Sequence, residues 1–118
     1  VLNGTARPAA GGLTKVELDG GGVLNSTDLI GGPVAALVFP WEISLEPAGA
    51  VHESSALNHL PVEVVSVTEI GNRARAGLSA PQPLVAEVTV ESIRSLGLRP
   101  GVRVKATWKA TATRLVPR

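Results

Sequence analysis

Thr89, Ser92 and Lys109 are the residues of this chain whose types and spacing point to chemistry. Thr89 and Ser92 are three apart, where an apolar run at 84–88, broken by Glu87, gives way to a helical pattern. Thr89 reads as a helix N-cap whose hydroxyl accepts from the backbone N–H of Ser92. Glu91 falls in the first turn, where the helix dipole favours a carboxylate. Ile93, Leu96 and Leu98 form an apolar face, and Gly97 stops the helix after about two turns. Arg99-Pro100-Gly101 follows as a turn, with Gly101 free to supply the positive φ of type II. Val102, Val104, Ala106 and Trp108 then alternate with Arg103, Lys105, Thr107 and Lys109, the period of a half-buried strand. A helix start carries unpaired N–H donors and partial positive charge. Hydroxyls and one ammonium around such a joint suit a small oxyanion. Simple capping makes the same local pattern, and caps are far commoner than anion sites.

Other eye-catching residues carry less. Ser54, Ser55 and His59 lack the strained nucleophile turn and oxyanion hole of a hydrolase. His52 and His59 have no cysteine or carboxylate arrangement around them, so solvent exposure is expected and a metal cation is not. Glu87 and Glu91 straddle a strand-to-helix joint, a poor geometry for paired acid–base work. Asp19-Gly20-Gly21-Gly22 lacks a following Gly-Lys-Ser/Thr, so it is a hairpin rather than a nucleotide-binding loop. Arg94, Arg99, Arg103, Lys105 and Lys109 make a basic stretch that a wet strand face explains. Trp108 is expected to pack in a core or interface. No catalytic constellation stands out.

The bulk properties of the 118 residues narrow the classes. That length allows one domain or two very small ones. A net charge of +1 and 3% aromatic residues argue against a nucleic acid as partner, whether duplex or single strand. Cysteine is absent, which removes disulfides and thiolate metal ligands. No apolar run approaches the roughly 18 residues of a transmembrane helix, so direct membrane insertion is not expected. The start, Val-Leu-Asn-Gly-Thr, has no signal-peptide pattern and looks cut from a longer protein.

Turn signals divide the chain into two units. Residues 1–50 read as short strands between glycine-rich turns, with a first strand at 1–6, an apolar set of Leu13, Val16 and Leu18, and a buried run at 34–39. Residues 46–53 read as a linker. From 54 to 118 a second unit carries a long strand at 60–70, a Gly71-Asn72 turn, a return strand at 73–79, the joint described above and a closing strand at 111–116. The expectation is an all-β protein of two small β-barrel-like units of OB type with one short helix.

Three stretches of the second unit, Ser55-Ala56-Leu57-Asn58, LVAEVTVESIRSLGL and RPGVRVKATWKAT, carry a resemblance. Together they resemble the molybdopterin-binding-protein (Mop) domain, a TOBE-type module of molybdate carriers and regulators. Residues 1–45 are similar to the first barrel segment that follows the nucleotide-binding domain in molybdate-type ABC transporter ATPases, through Asn-Gly-Thr, the glycine hairpin and Pro-Trp-Glu-Ile-Ser-Leu. The resemblance implies two TOBE-like units, 1–50 and 54–118, forming the C-terminal regulatory region of a molybdate importer's ATPase subunit. It implies molybdate or tungstate as ligand, held by Ser55, Thr89, Ser92 and Lys109. It also implies a homodimer that reaches the membrane permease through the nucleotide-binding domain, and a cytoplasmic location at the inner face of the membrane. Walker A, signature and Walker B elements are missing from the chain, so it is not expected to hydrolyse ATP. Two positions depart from the family pattern: Leu57 stands where an arginine is usual, and Ala110 where a hydroxyl residue often follows the lysine. These departures keep open a ligand-free dimerisation module. An oligonucleotide-binding barrel is disfavoured by the charge and the scarce aromatics.

Overall fold

The computed structural model describes residues 1–51, 54 and 56–118. In the first half lie β1 (Leu2–Pro8), β2 (Thr14–Leu18), β3 (Val23–Ser26), β4 (Gly32–Leu37) and β5 (Ser44–Pro47). In the second lie β6 (Leu57–Ile70), β7 (Arg73–Ser79), β8 (Pro83–Thr89), α1 (Val90–Leu96), β9 (Arg103–Lys109) and β10 (Arg114–Pro117). The all-β architecture expected from the alternating patterns is present, with α1 as the short helix. Each strand forms for the reason its pattern suggests. Along β2, Thr14, Val16 and Leu18 are buried while Lys15 and Glu17 point outward. Thr14, rather than Leu13, takes the inward place because its hydroxyl donates to the Asp28 carbonyl at 2.6 Å.

The strands form two five-stranded antiparallel sheets, in the orders β10-β4-β1-β2-β3 and β5-β9-β6-β7-β8. The sheets therefore exchange a strand across the linker. β5, from the first half, borders β9, and β10, the last strand of the chain, borders β4. The inner faces of both sheets share one apolar core that includes Leu2, Val16, Leu24, Val34, Val62 and Leu78. Fully burying side chains of this size contributes roughly 1.5–3 kcal/mol each.

The registers show that the two halves repeat one plan. Ala36 of β4 stands between Leu2 of β1 and Leu115 of β10. Ala106 of β9 stands likewise between Leu60 of β6 and Leu45 of β5. Amide side chains clamp the halves together. Gln82 accepts from the Asn3 N–H at 2.8 Å and donates to its carbonyl at 2.9 Å. Asn58 does the same to Asn25, at 2.7 and 2.9 Å.

Some local expectations shift. The linker begins after Pro47, because Glu46-Pro47 completes β5 opposite Lys105 and Val104. The closing strand starts at Arg114, since Ala110–Ala112 winds into a 3-10 turn. Thr107 is buried although it holds an outward place in the alternation, with Ser44 and His59 as its cross-strand neighbours. His59 is half-buried on β6 rather than in solvent, and His52 lies outside the described residues.

Candidate functional site

The Thr89 joint has the geometry its sequence dictates. Thr89 is the N-cap of α1 in extended conformation, and its hydroxyl accepts from the Ser92 N–H at 3.1 Å. The two hydroxyls lie 3.0 Å apart and share a hydrogen bond. At the other end Gly97 adopts the left-handed conformation (φ 59°, ψ 41°), which a side chain would disfavour. The Arg99–Val102 turn closes through the Val102 N–H on the Arg99 carbonyl at 3.1 Å, with Gly101 at φ 95°. Thr89→Ala removes the cap and is expected to cost about 1 kcal/mol, read as a fall of a few degrees in thermal unfolding.

Lys109 ends β9 with its side chain in solvent, at the mouth of a cavity of about 210 Å³ lined also by Leu13, Thr27, Leu57, Ala110 and Thr111. The turn that presents it is pinned from beneath. The buried Thr113 hydroxyl accepts from Trp108 Nε1 and from Asn58 Nδ2, each at 3.0 Å, and donates to the Lys109 carbonyl at 3.1 Å. Ser26 in turn donates to the Thr113 carbonyl at 2.6 Å, and the Asp28 carboxylate accepts from the Leu115 N–H at 2.9 Å. Sequence inspection singled out the lysine and missed Thr113, whose role depends on partners far away along the chain. Trp108, expected in a core or interface, is 2% exposed, with its indole N–H in this network.

Two of the expected ligands, Thr89 and Ser92, stand together, and the third, Lys109, is held at a different place in the sheet. Lys109 is paired with Leu57 at the start of the 14-residue β6, whereas Thr89 is paired with Arg73 opposite Ile70 at its end. At about 3.3 Å per residue these two places are separated by roughly 40 Å of strand contour. Ser55 lies outside the described residues. Leu57, at the place of the family's arginine, makes the wall beside Lys109 apolar, and Ala110 is buried. No group of three or more histidine, aspartate or glutamate side chains is placed to hold a metal ion among the described residues. A wider cleft of about 670 Å³, between the glycine hairpin and β6, is lined by none of Thr89, Ser92 and Lys109.

Two exchanged five-stranded sheets with one α-helix among the described residues, at a strand-to-helix joint, define a small OB-like β module. Residues 54–115, more than half of the chain, match the model of the TOBE domain, and the chain belongs to that family. Over its whole length the fold is similar to a crystal structure of the cytoplasmic molybdate-binding protein ModG with molybdate bound. The TM-score is 0.83, covering 99% of this chain and 94% of that one, at 24% sequence identity. At that identity the likeness is one of fold. No curated protein matches the sequence.

Proposed function

We propose that this chain binds molybdate or tungstate and carries out no catalysis of its own. The observation that carries the reading is the Thr89-x-x-Ser92 joint, two hydroxyls and a helix start on a TOBE domain, in a fold similar to that of a protein seen with molybdate bound. A tetrahedral dianion presents only acceptors and needs donors from several directions. The Thr89 and Ser92 hydroxyls, backbone N–H groups beside them, Ser55 and the Lys109 ammonium are donors of that kind. In this reading a second copy closes the site, with the ammonium of one chain facing the hydroxyl pair of the other.

In this reading the chain is the regulatory region of a molybdate importer's ATPase subunit, cytoplasmic and held at the membrane through the transporter. No helix among the described residues is long and apolar enough to cross a membrane. Anion capture favours the paired arrangement and biases the attached ATPases, which requires different affinities in the two arrangements. A ligand-free dimerisation module is the second reading, favoured by the apolar wall that Leu57 and Ala110 give the lysine cavity.

Thermal unfolding with and without molybdate, with sulfate as control, separates the two readings. Ligand at about a hundred times its dissociation constant adds roughly 2.7 kcal/mol to the folded state, a rise on the order of 10 °C at this size. No shift with either anion favours the dimerisation module. Lys109→Ala is expected to weaken molybdate binding about tenfold to a hundredfold, and Ser92→Ala several-fold, as hydrogen bonds to charged groups contribute about 1.5–3 kcal/mol. Unchanged affinity in both variants overturns the assignment of these residues.

A further inference from the structure

The repeat places a counterpart of every residue of the lysine turn in the first half of the chain. With Ala36 matched to Ala106, the 3-10 turn Pro40–Glu42 falls on Ala110–Ala112, Phe39 on Lys109, Trp41 on Thr111, Ile43 on Thr113 and Val38 on Trp108. The backbones agree closely. Phe39 has φ −71° and ψ 142°, and Lys109 has φ −74° and ψ 144°. Ile43 donates to the Pro40 carbonyl as Thr113 donates to that of Ala110, at 3.3 and 3.1 Å. The chemistry, by contrast, is opposite. In place of the ammonium stands an aromatic ring stacked on another, Phe39 on Trp41, with centroids 4.7 Å apart and planes within 5°. The buried hydroxyl that pins the lysine turn is replaced by the buried Ile43, and its indole donor by Val38.

The other half of the ligand set is asymmetric in the same sense. β8, which ends in Thr89, packs against the Pro40–Glu42 turn, and β3 packs against Ala110–Ala112. At the exit of β3 the chain runs Thr27-Asp28-Leu29-Ile30 with no helix, and its carboxylate is committed to the Leu115 N–H. Each intrachain joint thus holds half a set. The hydroxyl pair is at the end of the strand that meets the aromatic turn, and the ammonium is at the start of the turn that meets the strand without the pair.

We propose that the tandem is one-sided: each chain supplies one cationic and one hydroxyl half-site, and the Phe39–Trp41 turn is closed to oxyanions. Two repeats therefore give no more than one molybdate per chain. This rests on the oxyanion reading above and goes beyond it, since that reading alone allows one site per repeat. The stacked rings, 60% and 56% exposed, offer no N–H or O–H donor toward an anion except the indole N–H. Their apolar faces desolvate an anion without pairing it, which is unfavourable.

Equilibrium dialysis of the whole chain against molybdate, with molybdenum and protein measured by elemental and amino-acid analysis, tests this directly. Wild type is expected to saturate at or below one molybdate per chain. Phe39→Ala and Trp41→Ala should keep that stoichiometry with affinity within about twofold, and Lys109→Ala should weaken binding about tenfold to a hundredfold while its circular dichroism stays native. Saturation at two per chain overturns the inference and leaves the oxyanion reading standing. So does an affinity unchanged in Lys109→Ala and lost in Phe39→Ala. No uptake by wild type overturns the oxyanion reading, and this inference with it.

Discussion

Asn58→Leu is expected to lower stability by about 3–5 kcal/mol, a drop of roughly 10–20 °C in the unfolding midpoint. Asn58 is 2% exposed and uses its whole amide: Oδ1 accepts from the Asn25 N–H, and Nδ2 donates to the Asn25 carbonyl and the Thr113 hydroxyl. Leucine has similar bulk but no polar atoms. It leaves the Asn25 N–H and C=O unpaired and Thr113 short of a donor, and each buried unsatisfied group costs about 1–3 kcal/mol. The loss is a large part of the roughly 5–15 kcal/mol that holds a domain folded. Asn72→Ala, in the exposed turn between β6 and β7, serves as control and should stay within about 0.5 kcal/mol of wild type. An Asn58→Leu melt within 3 °C of the control would show that the clamp between the halves contributes little. The substitution also removes one partner of the hydroxyl that pins the Lys109 carbonyl, so any anion affinity should fall in the surviving folded protein.

What the sequence discloses and what it hides follow from the range of the interactions involved. The alternation along β2 and β9 and the cap at Thr89 depend on neighbours a few residues away, and both are readable as patterns. The burial of Asn58 is not readable, because an amide is buried only where another backbone meets it, and here that backbone is Asn25. His59 is misread because its pairing with Thr107 of β9, far along the chain, is not visible in its neighbours. The exchange of β5 and β10 is hidden more deeply. Ser44–Pro47 and Arg114–Pro117 hold equivalent places, and nothing within either segment tells which sheet it borders. Two units are readable in the sequence, but their residue-by-residue equivalence is not, because the turns differ in kind, Phe39 against Lys109 and Ile43 against Thr113. Their backbone angles coincide, but their residue types do not. The proposed ligand residues are legible by type, while the strands that Thr89 and Lys109 border are set by the register.

The same equivalence predicts the behaviour of a fragment holding residues 54–118 alone. Without the first half, β9 loses β5 and presents the unpaired edge of Arg103–Lys109, and β10 loses β4. An unpaired edge recruits a strand of matching pattern. β10 is such a strand: Leu115 matches Leu45, and Pro117 matches Pro47, in register with the central alanine of each sheet. Two copies of the fragment can each lay β10 against the other's β9, restoring both five-stranded sheets. Light scattering after size exclusion is therefore expected to show a dimer with strand-rich circular dichroism, whose unfolding midpoint rises with concentration. Leu115→Asp in the fragment places a charge where the intact chain buries an apolar side chain, and should yield unfolded monomer. In the whole chain, deletion of residues 114–118 uncovers Val34 and Ala36 of β4 and removes the Asp28 bond to Leu115, so loss of cooperative folding in the first half is expected. A folded monomeric fragment would mean that the second half is complete without a borrowed strand. The exchange would then be an incidental feature of the chain's path rather than what joins its halves.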